Sequence, residues 1–103
     1  MFTVQITDLA QSDIQEAFDW WAENRSHSQA VQWYEQIVNS IGTLVEEPER
    51  CPLVAETDLA RQGVRQLLFG VGTRATHRIV FSINLAKKTV TILRVRHHAQ
   101  SDL

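Results

Sequence analysis

The sequence predicts an α+β fold in which an N-terminal strand and a two-helix hairpin precede a three-stranded antiparallel meander. Three observations carry this expectation. Residues 64–98 hold three runs rich in β-branched and aromatic side chains, separated by short Gly-, Asn- or Lys-containing connections. Residues 8–47 place apolar side chains three and four positions apart, the spacing of a helix face. Residues 2–7 alternate apolar and polar, as an edge strand does. If that strand joins the meander, the result is a four-stranded sheet packed on the helical hairpin.

In chain order, Asp8 or Ser12 is expected to cap the first helix, with Asp13 and Glu16 favourable near its N-terminal partial charge. Ile14, Ala17, Phe18 and Trp21 give it one apolar face through about Asn24. Residues 25–28 break the pattern, and Ser26 or Ser28 caps the second helix. Its stripe of Ala30, Trp33, Tyr34, Ile37, Ile41 and Leu44 ends at Glu47-Pro48, because proline cannot continue a helix. So short a connection implies an antiparallel hairpin. Trp20, Trp21 and Trp33 read as core under this hairpin rather than as a base-stacking platform. Residues 49–63 read as a surface crossover with a short helical turn at Thr57–Arg61.

The strands carry an unusual charge load. Ile79, Phe81 and Ile83 share one face of the third predicted strand, and Arg78, Val80 and Ser82 the other. Arg65, Arg78, Arg94 and Arg96 sit within otherwise apolar strands, so one face of the sheet is expected to be wet and cationic. The whole chain shows the same polarity. Residues 1–60 hold eleven acids against two arginines, a net −9, and residues 61–103 hold eight bases against one acid, a net +7. A near-neutral total of −2 therefore hides a basic half that points to a nucleic acid or an acidic protein. The alternative is that the two halves neutralise each other within the fold.

At 103 residues, 44% hydrophobic and 21% charged, the chain reads as one globular domain over residues 1–103. No apolar run is long enough to span a membrane, and the N-terminus lacks a signal peptide. The single cysteine, Cys51, excludes an internal disulfide and suits a cytoplasmic protein. It has no histidine near it in sequence to activate it as a nucleophile.

The ordered set of Ala30, Leu44 to Pro48, Val64-Arg65-Gln66-Leu67, His77-Arg78-Ile79-Val80-Phe81 and Ile92-Leu93-Arg94-Val95-Arg96-His97 resembles the RelE/ParE superfamily of toxins over nearly the whole chain. The resemblance implies a small cytoplasmic toxin of a type II toxin–antitoxin operon, often called a plasmid stabilisation protein and neutralised by a cognate antitoxin. It offers two modes of growth arrest. Some members cleave mRNA on the ribosome, and ParE-type members poison DNA gyrase without nuclease chemistry.

Residue by residue, Arg78 matches the position that contacts the scissile phosphate in the ribonuclease members, and Arg65 matches a basic position on their second strand. Their next basic position falls at Leu67, the region after the last strand is Ala99-Gln100, and no C-terminal tyrosine is present. RNA cleavage through the 2′-hydroxyl needs a base, an acid and cations on the phosphorane. Histidine and arginine supply these. The candidate catalytic set is therefore Arg78, Arg65, His97 and His98, with Arg74, Arg94, Arg96, Lys87 and Lys88 as nucleic-acid contacts. Adjacent histidines with no helical spacing or nearby cysteine make no metal site, and no cofactor is expected. A general RNA-binding module is less well supported, because the strands lack stacking aromatics.

Overall fold

The structure is a computed structural model that describes residues 1–70 and 75–97. Strand β1 (Thr3–Ile6) leads into α1 (Asp8–Asn24) and α2 (His27–Gly42), followed by single 3₁₀ turns at Thr43–Val45 and Pro48–Arg50. A short third helix, α3 (Thr57–Arg61), precedes β2 (Arg65–Phe69), β3 (His77–Asn84) and β4 (Thr89–His97). The four strands form one mixed sheet in the order β1-β4-β3-β2. The last three are the antiparallel meander that the sequence predicts, while β1 joins β4 in parallel, with Val4 opposite Val90 and Ile6 opposite Ile92. No helix among the described residues is long and apolar enough to cross a membrane.

The two long helices cover one face of the sheet. Ile14 from α1 and Trp33, Ile37 and Ile41 from α2 pack with Ile79, Phe81, Ile92 and Val95 in the main core. Trp21 is half-buried at its edge, less enclosed than the sequence suggests. The α2 stripe still reaches Leu44, although the helix ends at Gly42 rather than Pro48. The 3₁₀ turn after it keeps Leu44 fully buried. Arg50 then donates to the carbonyls of Glu46 and Glu47 (2.8 and 3.2 Å), serving backbone acceptors left open where the helix stops.

Two local differences from the sequence reading position the site. The cap of α1 is Thr7, not Asp8 or Ser12: its Oγ1 accepts from the Ala10 N–H (3.2 Å) and donates to the Ile92 carbonyl (2.9 Å). Thr7 thus ties the start of α1 to the edge of β4. Thr7→Ala should cost about 1 kcal/mol by urea unfolding, the usual loss for an N-cap. Ser26 caps α2 as one of the two serines expected there. The second difference is a β-bulge. Val80 lies opposite Arg94 and Phe81 opposite Ile92, so Leu93 is an extra residue on β4. Ile92 and Val95, three positions apart, can therefore both face the core. Arg94 and Arg96, which straight alternation would align with Ile92, are carried off that face.

The opposite face of the sheet is covered around Val80 and Arg78 rather than open to water throughout. Residues 52–64 fold across it, joined by Gln66 N–H to Pro52 carbonyl and Val54 N–H to Val64 carbonyl bonds (both 3.0 Å). Val54, Val64 and Val80 form a second apolar cluster there, with Leu59, Ala60 and Leu93 against it. Arg78, expected to be solvated, is only 9% exposed. The physical reason is a counter-ion supplied by the covering segment.

Candidate functional site

That counter-ion is Glu56, immediately before α3. Both of its carboxylate oxygens receive the Arg78 guanidinium (2.5 and 3.0 Å), and Gln66 Oε1 on β2 accepts a third bond at 3.0 Å. The Arg78 hydrogen bond holds the Glu56 carboxyl below the usual carboxylate range, and the carboxylate raises Arg78 in turn. Two more strand arginines, Arg65 and Arg94, are also engaged. Arg65 donates to the Cys51 carbonyl at 2.6 Å and the Glu49 carbonyl at 3.3 Å. Arg94 pairs side-on with Asp13 of α1 (2.8 and 2.9 Å), and the same carboxylate accepts the Val95 N–H at 2.9 Å. Burial alone would raise the Asp13 carboxyl, but those bonds and the charges of Arg94 and Arg96 bring it below its ordinary value.

Asp13 has a structural reason to be there. The pairing of β1 with β4 ends at Ile92, so from the bulge onward the outer edge of β4 is open. An α1 carboxylate meets that edge and takes the N–H that a neighbouring strand would otherwise accept.

Arg96 stands directly opposite Arg78 in the strand register, and its Nε is buried without a hydrogen-bond partner among the described residues. Beyond it, β4 ends at His97, whose ring lies 5.1 Å from that of His77. His77, like Glu56 and Gln66 beside Arg78 and Asp13 and Glu16 in the groove, is a site residue that the sequence reading passed over. It shares strand parity with Ile79 and Phe81, which is the signal that would have found it. It is 8% exposed, packs against Trp33 and Phe69, and contacts Thr76 Oγ1 through Nδ1 at 2.9 Å. Burial and the neighbouring His97 push its pKa down to about 4. A neutral, enclosed imidazole is a poor carrier of protons to a solvent-borne substrate.

His77, Arg96 and His97 form one side of a groove of about 450 Å³, and Asp13, Glu16, Trp20 and Trp21 of α1 form the other. Trp20 is half exposed, set edge-on against Trp21 at 5.5 Å between centroids. This is an amphipathic cleft suited to side chains of a protein partner.

The predicted site residues therefore do not converge on one centre. Arg78 and Arg65 lie under residues 49–56, Arg96 and His97 line the groove, and Arg94 closes the β4 edge. Lys87 and Lys88 sit in the β3–β4 turn at the opposite end of β4 from His97, with Lys88 over the Phe2 ring at 5.1 Å. Arg74 and His98 lie outside the described residues. Burial raises the Cys51 thiol, which is unsuited to nucleophilic work. Among the described residues no group of three or more His, Cys, Asp or Glu is placed to hold a metal.

The fold has solved counterparts. The chromosomal ParDE toxin–antitoxin system of P. aeruginosa contains a chain 20% identical that superposes with a TM-score of 0.76, over 94% of this chain and 96% of that one. The RelBE2 toxin–antitoxin complex of Mycobacterium tuberculosis contains one 29% identical with a TM-score of 0.54, over 94% and 98%. The intact E. coli RelBE complex matches at 14% identity and a TM-score of 0.60, over 97% and 100%. No curated protein matches the chain in sequence. The family model of the ParE toxin of the type II toxin–antitoxin system, parDE, matches residues 4–102, and the chain belongs to that family.

Proposed function

We propose that this toxin arrests growth by gripping a protein target, DNA gyrase, and that it cuts no RNA. A cognate antitoxin, as in the ParDE and RelBE complexes of similar fold, holds it inactive in the cytoplasm. The observation that carries this reading is the commitment of Arg78. A nuclease needs its phosphate-binding arginine open to substrate, with a titrating base beside it. Here Arg78 is bonded to Glu56 and Gln66, and the most enclosed histidine of the site is held neutral. The ParE family match and the missing basic position at Leu67 support the same side of the choice.

The test is pulse-labelling of DNA and protein synthesis after induction, with gyrase supercoiling assayed on the purified toxin. DNA synthesis should fall first, with mRNA intact and supercoiling inhibited. A prompt fall in protein synthesis with cut mRNA would instead establish the ribonuclease. In that case Arg78→Ala should lower cleavage by about two to three orders of magnitude, the scale for losing one transition-state donor.

A further inference from the structure

We infer that His77 and His97 form a two-histidine site for a divalent transition-metal ion of the zinc class on the strand side of the groove. The two residues stand directly opposite each other on β3 and β4, so the strand register, rather than a loop, holds their imidazoles together. Their ring centres lie 5.1 Å apart. Two imidazoles sharing one tetrahedral ion, each with a nitrogen about 2.0–2.1 Å from the metal, have ring centres about 5 Å apart. The strands thus already stand at the separation an ion needs. His97 is exposed, so turning its side chain is enough to bring a ring nitrogen to face that of His77.

His77 has the properties of a prepared ligand. It stands at a position with the parity of Ile79 and Phe81, where an apolar side chain would pack without the cost of burying an imidazole. Burial keeps the ring in the neutral form that coordinates metals. Thr76 Oγ1 lies 2.9 Å from Nδ1. With Nδ1 donating that bond, Nε2 carries the lone pair, and an outer hydrogen bond of this kind orients a metal-bound imidazole. Glu16 and Arg96 line the same groove with opposite charges, and Asp13 is committed to Arg94, so an added cation meets no net positive field there. Among the described residues no third His, Cys, Asp or Glu completes the set, and water fills the remaining positions on the ion. The site goes beyond the reading of the chain as a gyrase-binding toxin and fails separately from it, because the test contains no gyrase.

The experiment titrates zinc chloride into the untagged toxin by isothermal titration calorimetry, with wild type, His77→Gln, His97→Gln, His98→Gln and His27→Gln. His27 packs on Phe18 between the helices, away from the sheet, and serves as the control. His98 is the competing source of binding, as the sequence neighbour of His97. Wild type should bind zinc with one-to-one stoichiometry. His77→Gln and His97→Gln should each weaken binding by about tenfold or more, since removing even an outer hydrogen-bond partner of a metal ligand costs that much. His98→Gln and His27→Gln should bind as wild type does. Circular dichroism establishes folding, and ring-nitrogen NMR of the wild type supplies a readout that needs no variant. Zinc should shift the ring signals of His77 and His97 together. The inference is overturned if wild type binds no zinc, if folded His77→Gln binds it as tightly as wild type, or if binding follows His98 in place of His77. It is equally overturned if the His77 ring signals stay unmoved at saturating zinc.

Discussion

Asp13→Ala should destabilise the toxin by about 2–4 kcal/mol, because it strands both a charge and a strand-edge donor. The Asp13 side chain is 9% exposed and Arg94 23%, so the pair is largely but not wholly withdrawn from water. That places the loss somewhat below the usual 3–5 kcal/mol for breaking a fully buried pair. Three bonds disappear together, two from the guanidinium and one from the Val95 N–H. Urea unfolding followed by tryptophan fluorescence reads the effect. Asp13→Asn keeps an acceptor for Val95 and should lose less. A loss below about 0.5 kcal/mol in the alanine variant would mean that the pair behaves like an exposed one. Since Asp13 also lines the groove beside Trp20 and Trp21, the same variant should loosen the groove wall at the end of β4.

The meander and the hairpin were legible because each rests on local pattern. Period-two alternation from Ile79 to Ile83 and three- to four-residue spacing from Trp33 to Leu44 need no distant information. The cap of α1 was misplaced by one residue or more because Thr7 acts through the Ile92 carbonyl, 85 positions away. The bulge at Leu93 was invisible for a related reason. It follows from the need to seat both Ile92 and Val95 against α1 and α2, which is a property of the packed layers.

The arginines show most clearly where sequence reading stops. Arg78 and Arg94 were rightly singled out as charges that need an explanation. Their partners, Glu56 and Asp13, lie 22 and 81 positions earlier. No spacing rule links them. The acidic first part of the chain and the basic second part are thus joined by ion pairs across the fold, so the alternative of internal neutralisation applies at these two positions. Residues 49–63, read as a plain crossover, prove to supply both Glu56 and the apolar cover of the second sheet face.

His77 sets the last expectation, a stability that falls as the medium is acidified from pH 6.5 to 4. In the unfolded chain the imidazole takes a proton near its ordinary 6.5, whereas in the native core it stays neutral down to about 4. Above pH 6.5 neither state is protonated at this residue and nothing is lost. Between the two values the unfolded state binds the extra proton, so acidification favours unfolding by about 1.4 kcal/mol per pH unit. Below 4 both states are charged and the penalty is complete, about 3 kcal/mol in total. Asp13 and Glu56, whose carboxyls are held low by their arginines, lose their own contributions only as the pH falls through the carboxylate range. The steps therefore separate on the pH axis. His77→Phe fills the space between Trp33 and Phe69 without a titrating group, and it should flatten the stability profile between pH 6.5 and 4.5. If wild type and His77→Phe lose stability in parallel over that range, the imidazole is not the group being titrated.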